Sequence, residues 1–167
     1  MKEEKLVRVL KELMQNSKRS DREIAKAIGA SQPTVTRTRR LLEKYIRSYT
    51  IIPEFGKIGY EIVAFTFSKA RTYDKKSVES NLPLITEWYK KKPNIIFASD
   101  GEGLGKDGIM VSLHKNYSKY ADFIRDYIVT FADFIGDVQS FIVSLKSGLI
   151  MKYLDLKYLA DDIDSFT

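Results

Sequence analysis

The sequence predicts an α+β protein in two parts, a small all-helical module followed by a mixed domain of element order βαββαβ. Three observations predict it. The first fifty residues carry helical hydrophobic periodicity interrupted by capping signals. The remainder alternates β-branched and aromatic runs with two longer helical patterns. The charge also divides at the same place. Residues 1–50 hold 13 Lys and Arg against 6 Asp and Glu, a balance of +7, whereas residues 51–167 hold 15 against 16, a balance of −1.

A chain of 167 residues suits one ordinary domain or two small ones. No stretch of 18 apolar residues escapes a charge, so no membrane span is expected. The opening "MKEEKLVRVLKEL" lacks the apolar core of a signal peptide, and a cytoplasmic location is the default expectation. Zero cysteines exclude disulfides, thiolate nucleophiles and Cys-based zinc sites. The one histidine, His114, stands at a strand end and is expected to be exposed or on an edge. No metal site, catalytic residue or cofactor is expected.

Within residues 5–14, Leu6, Val9, Leu10, Leu13 and Met14 recur at i, i+3, i+4, i+7 and i+8, the stripe of an amphipathic helix. "NSKR" breaks it. Ser20 and Glu23 then form a capping box for a short helix over residues 21–28, with Ala25 and Ile28 turned inward. Gly29 ends that helix. Ser31 caps a third, with Pro33 in its first turn, where a missing N–H costs nothing. Two helices, a Gly-containing turn and a basic helix outline a helix-turn-helix, winged-helix-like, with Ala25, Gly29 and Val35 in its register.

At about 100° per residue, Val35, Thr38, Leu42 and Tyr45 gather on the side facing the first two helices. Pro33, Thr36, Arg37, Arg40 and Lys44 gather opposite, with Gln32 and Arg39 along one edge. A major groove admits one helix, and Arg pairs bidentately with guanine while Gln or Thr meets bases or phosphates. The residues expected at double-stranded DNA are Ser31, Gln32, Pro33, Thr34, Thr36, Arg37, Arg39, Arg40, Lys44 and Arg47. Arg37 and Arg40 are assigned to base edges, Lys44 and Arg47 to phosphates. An ordinary solvated helix face is the alternative.

In the second part, "YEIVAFTFSKA" reads as a strand buried on both faces or nearly so. A helix over residues 80–92 follows, turning Ile85, Trp88 and Tyr89 inward. Next come the strands "NIIFAS" and "GIMVSLHK" around a Gly-rich connection. A helix over residues 118–134 carries Tyr120, Ile124, Tyr127, Ile128, Phe131 and Ile135 in helical register, and the strand "VQSFIVSLKSG" closes a ferredoxin-like arrangement. Residues 149–167 are expected to extend the sheet and end in a helical turn. The expected divisions are a DNA-binding module at 1–48, a hinge strand or linker at 49–59, a sensing and dimerisation domain at 60–148, and an extension at 149–167. One recognition helix buries too little surface for tight binding, so a homodimer or higher oligomer is expected.

"RSDREIAKAIGASQPTVTRTRRLLEK" and "IRSYTIIPEFGKIGY" resemble the Lrp/AsnC (feast/famine) family of transcription regulators, the second stretch looking like that family's hinge strand. The resemblance implies a sequence-specific DNA-binding regulator, not an enzyme, with a second domain that assembles subunits and senses an effector, often an amino acid. It implies an effector site in "SDGEGLGKDG", involving Asp100, Gly101 and Glu102, where Asp100 or Glu102 would pair with an ammonium group. Two departures stand out. The Gly-containing turn usual after the recognition helix is replaced by "LEKYIRSYT", and the compact effector-loop pattern is missing. By its residues alone the Gly-rich stretch reads as a flexible hairpin loop, its acids unsuited to phosphate. A non-specific DNA-architectural protein and an enzyme on the ferredoxin-like domain remain the rival readings.

Overall fold

The computed structural model describes residues 2–72, 74–146 and 149–165. It divides into two compact units, one of Met1–Ile52 with Met151–Thr167, the other of Pro53–Ile150.

The first unit is built on three helices, α1 (Lys2–Gln15), α2 (Asp21–Ile28) and α3 (Gln32–Leu42). Its core joins Val9 and Leu13 of α1 to Ile24, Ala25 and Ile28 of α2 and Val35 and Leu42 of α3. The capping box forms as expected: the Ser20 hydroxyl accepts from the Glu23 N–H, and the Glu23 carboxylate accepts from the Ser20 N–H at 2.7 Å. Gly29 turns at φ 66°, in the left-handed region that glycine enters without strain. The Arg8 guanidinium donates to the Ile28 carbonyl at 2.6 Å, satisfying an acceptor at the end of α2.

Two local expectations fail. Ser31 occupies the N-cap position of α3, but its hydroxyl pairs with the Thr34 hydroxyl at 2.8 Å and caps no backbone N–H. Tyr45 is half-exposed rather than inward. The helix tightens into a 3-10 turn over Glu43–Tyr45, which advances each residue by about 120° and carries Tyr45 out of the apolar stripe.

A 3-10 segment at Leu156–Asp161 also packs on α1, and its Ala160 is fully buried. These residues lie within the first unit instead of extending the sheet. Residues 49–59, expected as a hinge strand or linker, carry no strand. A strand needs a hydrogen-bonded partner strand, and this stretch has none among the described residues.

The second unit runs β1 (Ile62–Ala70), α4 (Lys75–Lys90), β2 (Ile95–Gly103), β3 (Lys106–His114), α5 (Tyr117–Thr130) and β4 (Ile135–Ser144). The sheet order is β2-β3-β1-β4, every pairing antiparallel, which is the ferredoxin-like topology. The strand predicted to reach residue 148 ends at Ser144, and Ser147 and Gly148 lie outside the described residues. Alternation along β1 places Ile62, Ala64 and Thr66 on the buried, helix-covered face. Val63, Phe65 and Phe67 are only half-buried on the other, so the strand is not buried equally on both sides. Trp88 of α4 packs with Met110, Phe123, Tyr127 and Phe131 to make the main core.

His114 is a clear correction. It is 3% exposed, on a strand flanked by both β2 and β1, with its Nε2 2.8 Å from the Ser112 hydroxyl and its ring against Tyr120 and Phe123. Burial pushes the imidazole pKa down to about 4.

The Gly-rich stretch forms the expected hairpin, with longer strands than the sequence outlined. β2 and β3 continue into it until only Leu104 and Gly105 remain between them, at φ 54° and 67°. Two successive left-handed residues are the backbone signature of a tight two-residue hairpin turn.

Candidate nucleic-acid interface and effector region

The outer face of α3 is held in place by Asp21, the first residue of α2. Its carboxylate accepts from the Thr36 hydroxyl at 2.5 Å and from the Arg39 guanidinium at 2.6 Å. Arg39 also donates to the Arg19 carbonyl at 3.3 Å. The Thr36 bond, then the Arg39 bond, hold the Asp21 carboxyl below the usual carboxylate range. A carboxylate in the first turn of α2 also complements that helix's dipole. The pair of bonds therefore fixes the α2–α3 geometry from outside the apolar core.

This sorts the ten residues assigned to DNA. Ser31, Gln32, Pro33, Arg37, Arg40, Lys44 and Arg47 are exposed. Thr34, Thr36 and Arg39 are half-buried, and Thr36 and Arg39 are joined to Asp21. The Lys44 ammonium lies 4.7 Å from the centre of the Tyr45 ring. Arg37 and Arg40 are three residues apart on one helical face. The Asp21 clamp had no local signal in the sequence, because its partners stand 15 and 18 residues away.

The three consecutive residues assigned to an effector line two different hollows. Asp100 pairs in register with Gly108 and opens onto a groove of about 650 Å³ between α4 and the sheet. Gly101 and Glu102 line a separate hollow of about 290 Å³ with Phe67, Lys106 and Ile109. Phe67 and Ile109 are register partners on the uncovered sheet face. Lys106 pairs with Asp137, which lies below the usual carboxylate range through that hydrogen bond. Among the described residues no cluster of His, Cys, Asp and Glu could hold a metal ion, and no helix is long and apolar enough to cross a membrane.

Residues 2–45 match the family model of winged helix-turn-helix DNA-binding domains. The whole-chain fold is similar to that of AsnC from E. coli, with a TM-score of 0.69 and 18% identity over 90% of this chain and 96% of that one. It is also similar to a transcriptional regulator of Neisseria meningitidis solved as its L-Met complex, with a TM-score of 0.72 and 19% identity over 92% and 96%. An AsnC family transcriptional regulator from Agrobacterium tumefaciens gives 0.70 and 19% over 92% and 97%. At such identities the likeness is one of fold. No curated protein matches the chain in sequence.

Proposed function

We propose that this chain is a transcriptional regulator of the Lrp/AsnC type, which reads double-stranded DNA by laying α3 in the major groove. The observation that carries this reading is the division of labour on α3. Thr36 and Arg39 anchor the helix through Asp21, and Arg37 and Arg40 stand clear of the protein on the same surface. A guanidinium in that position presents its fork to guanine, whereas Lys44 and Arg47, further along, suit phosphates. The match of residues 2–45 to DNA-binding domains supports the same reading.

The regulator works as a homodimer or larger assembly. Val63, Phe65 and Phe67 of β1 share the uncovered sheet face with Ile109 and Val111 of β3, and Phe141 of β4 on that face is 68% exposed. A second copy would cover this apolar surface and place two recognition helices at half-sites about one DNA turn, roughly 34 Å, apart. A small amino acid in the hollow beside Gly101 and Glu102, next to that face, would act as effector, Glu102 holding its ammonium. The Neisseria relative was solved with L-Met. A tenfold change in DNA affinity needs only about 1.4 kcal/mol of differential binding.

The test is selection of bound duplexes from a random library, followed by titration of the Arg37→Ala, Arg40→Ala double variant. Each arginine on a guanine contributes about 1–3 kcal/mol, so the enriched sequence is bound at least tenfold more weakly by the variant. Uniform affinity across unrelated duplexes would favour an architectural role instead. Undiminished binding by the double variant rejects the assignment of these residues.

A further inference from the structure

We propose that the groove between α4 and the sheet is a binding site for a small amphiphilic cation, an apolar chain ending in an ammonium group. Its volume of about 650 Å³ lies in the range of small-molecule sites. Val78, Leu82 and Ile85 of α4 line one wall, and Phe131 and Phe134 line another. These are side chains for an apolar body.

The polar groups are distributed unevenly. Asp107 lines the groove and accepts from the Ala70 N–H at 2.7 Å, which fixes its carboxylate. Ala70 is the last residue of β1, so this acid lies at the end of that strand. Asp100 lines the groove as well, and it pairs in register with Gly108, next to Asp107. Two carboxylates therefore share one end. The lining cation Lys90 is the last residue of α4, twelve positions after Val78, or about 18 Å along the helix. An α-amino acid carries both charges on one carbon and cannot reach both ends. An extended chain with a cationic head can reach the acid end while its body lies along the walls.

Tyr89, Tyr127 and Ser68 also line the groove. Burial holds both phenols above their ordinary range, so they remain neutral hydroxyls. Gly108 keeps this end open, since a Cβ there would stand 2.9 Å from the Ser68 hydroxyl oxygen. The site lies within one chain, and it depends neither on DNA nor on a second copy.

The probes are decylamine, decanol and decanoate, each below its aggregation concentration, titrated into the full chain by calorimetry. Trp88 serves as a fluorescent reporter, because it is the single tryptophan and its ring centre lies 5.1 Å from that of Tyr127 and 5.5 Å from that of Phe131. Decylamine is expected to saturate one site per chain and to bind at least tenfold more tightly than either neutral or anionic analogue. Asp107→Asn keeps an acceptor for the Ala70 N–H but removes charge, and should reduce decylamine to the level of decanol. Ala98→Phe, on the lining, should fill the groove and abolish all three. Should that variant unfold, Thr86→Trp closes the same space from α4. Equal affinity for the three probes, unsaturable uptake, or full binding by a folded groove-filling variant overturns the proposal.

Discussion

Removing the Asp21 carboxylate should loosen the DNA-binding module without touching its apolar core. Asp21→Ala deletes two hydrogen bonds at once, from Thr36 at 2.5 Å and from Arg39 at 2.6 Å. A hydrogen bond to a charged group contributes about 1.5–3 kcal/mol where water is excluded, and an exposed ion pair about 0.2–1 kcal/mol. The two charged side chains of this pair are 26% and 20% exposed, which places the site between those cases. The expected loss is about 2 kcal/mol for Ala, and about 1 kcal/mol for Asn, which keeps an acceptor for Thr36. For a module of this size each kcal/mol shifts Tm by about 4–8 °C, so Asp21→Ala should melt on the order of 10 °C lower. The assay separates the two units. Helical ellipticity follows α1–α3 as well as the second unit, whereas fluorescence of Trp88 follows only the second. The first signal should develop an early transition while the second stays in place. The folded pKa lies below the unfolded value of 3.8, so the contribution is complete above that pH and disappears as pH falls through the folded pKa. The variant and the parent should therefore converge in strong acid. An unchanged ellipticity profile, or an equal shift in both signals, would refute the clamp.

Three further outcomes are expected. Lys44→Ala and Arg47→Ala should weaken all duplexes alike and each lower the slope of log K against log salt by about 0.9, measured by titration at several salt concentrations; a change in base preference would count against phosphate contact. Phe65→Asp with Phe141→Asp places charge on the uncovered sheet face and should give a monomer in sedimentation velocity where the parent gives none. For His114, the depressed pKa means that the folded chain resists protonation while the unfolded chain accepts it. Stability should fall as pH drops from about 6.5 to about 4, and His114→Gln should flatten that dependence in urea titrations.

What was legible in the sequence was what is written locally. Ser20 and Glu23 at a spacing of three, and a glycine at the helix end, fixed the α2 boundaries because caps act over four or five residues. The order of strands and helices could be read from period alone. Side-chain partners could not. A helical wheel gives Thr36 and Arg39 a direction, and the same direction serves a base edge or an aspartate on another helix. His114 was misread because position along a strand says nothing about the strand's place in the sheet. β3 has neighbours on both sides, and α5 lays Tyr120 and Phe123 over the ring. The hairpin itself was legible, but not how far its strands reach, because four glycines carry no strand signal and the pairing continues to Gly103 and Lys106.

The packing of Leu156–Asp161 on α1 has a consequence for the order of events during synthesis. The three N-terminal helices leave the ribosome first, with the surface that receives Ala160 still bare. It stays bare while the intervening residues 53–150 are translated, close to a hundred of them. Until then the surface of α1 that this segment covers is open to a chaperone or a neighbouring nascent chain. Closing such a long loop from a disordered chain would cost about 4 kcal/mol, and prior collapse of the intervening unit reduces that by bringing its ends under control. The three-helix unit, begun before the sheet domain, is thus completed after it.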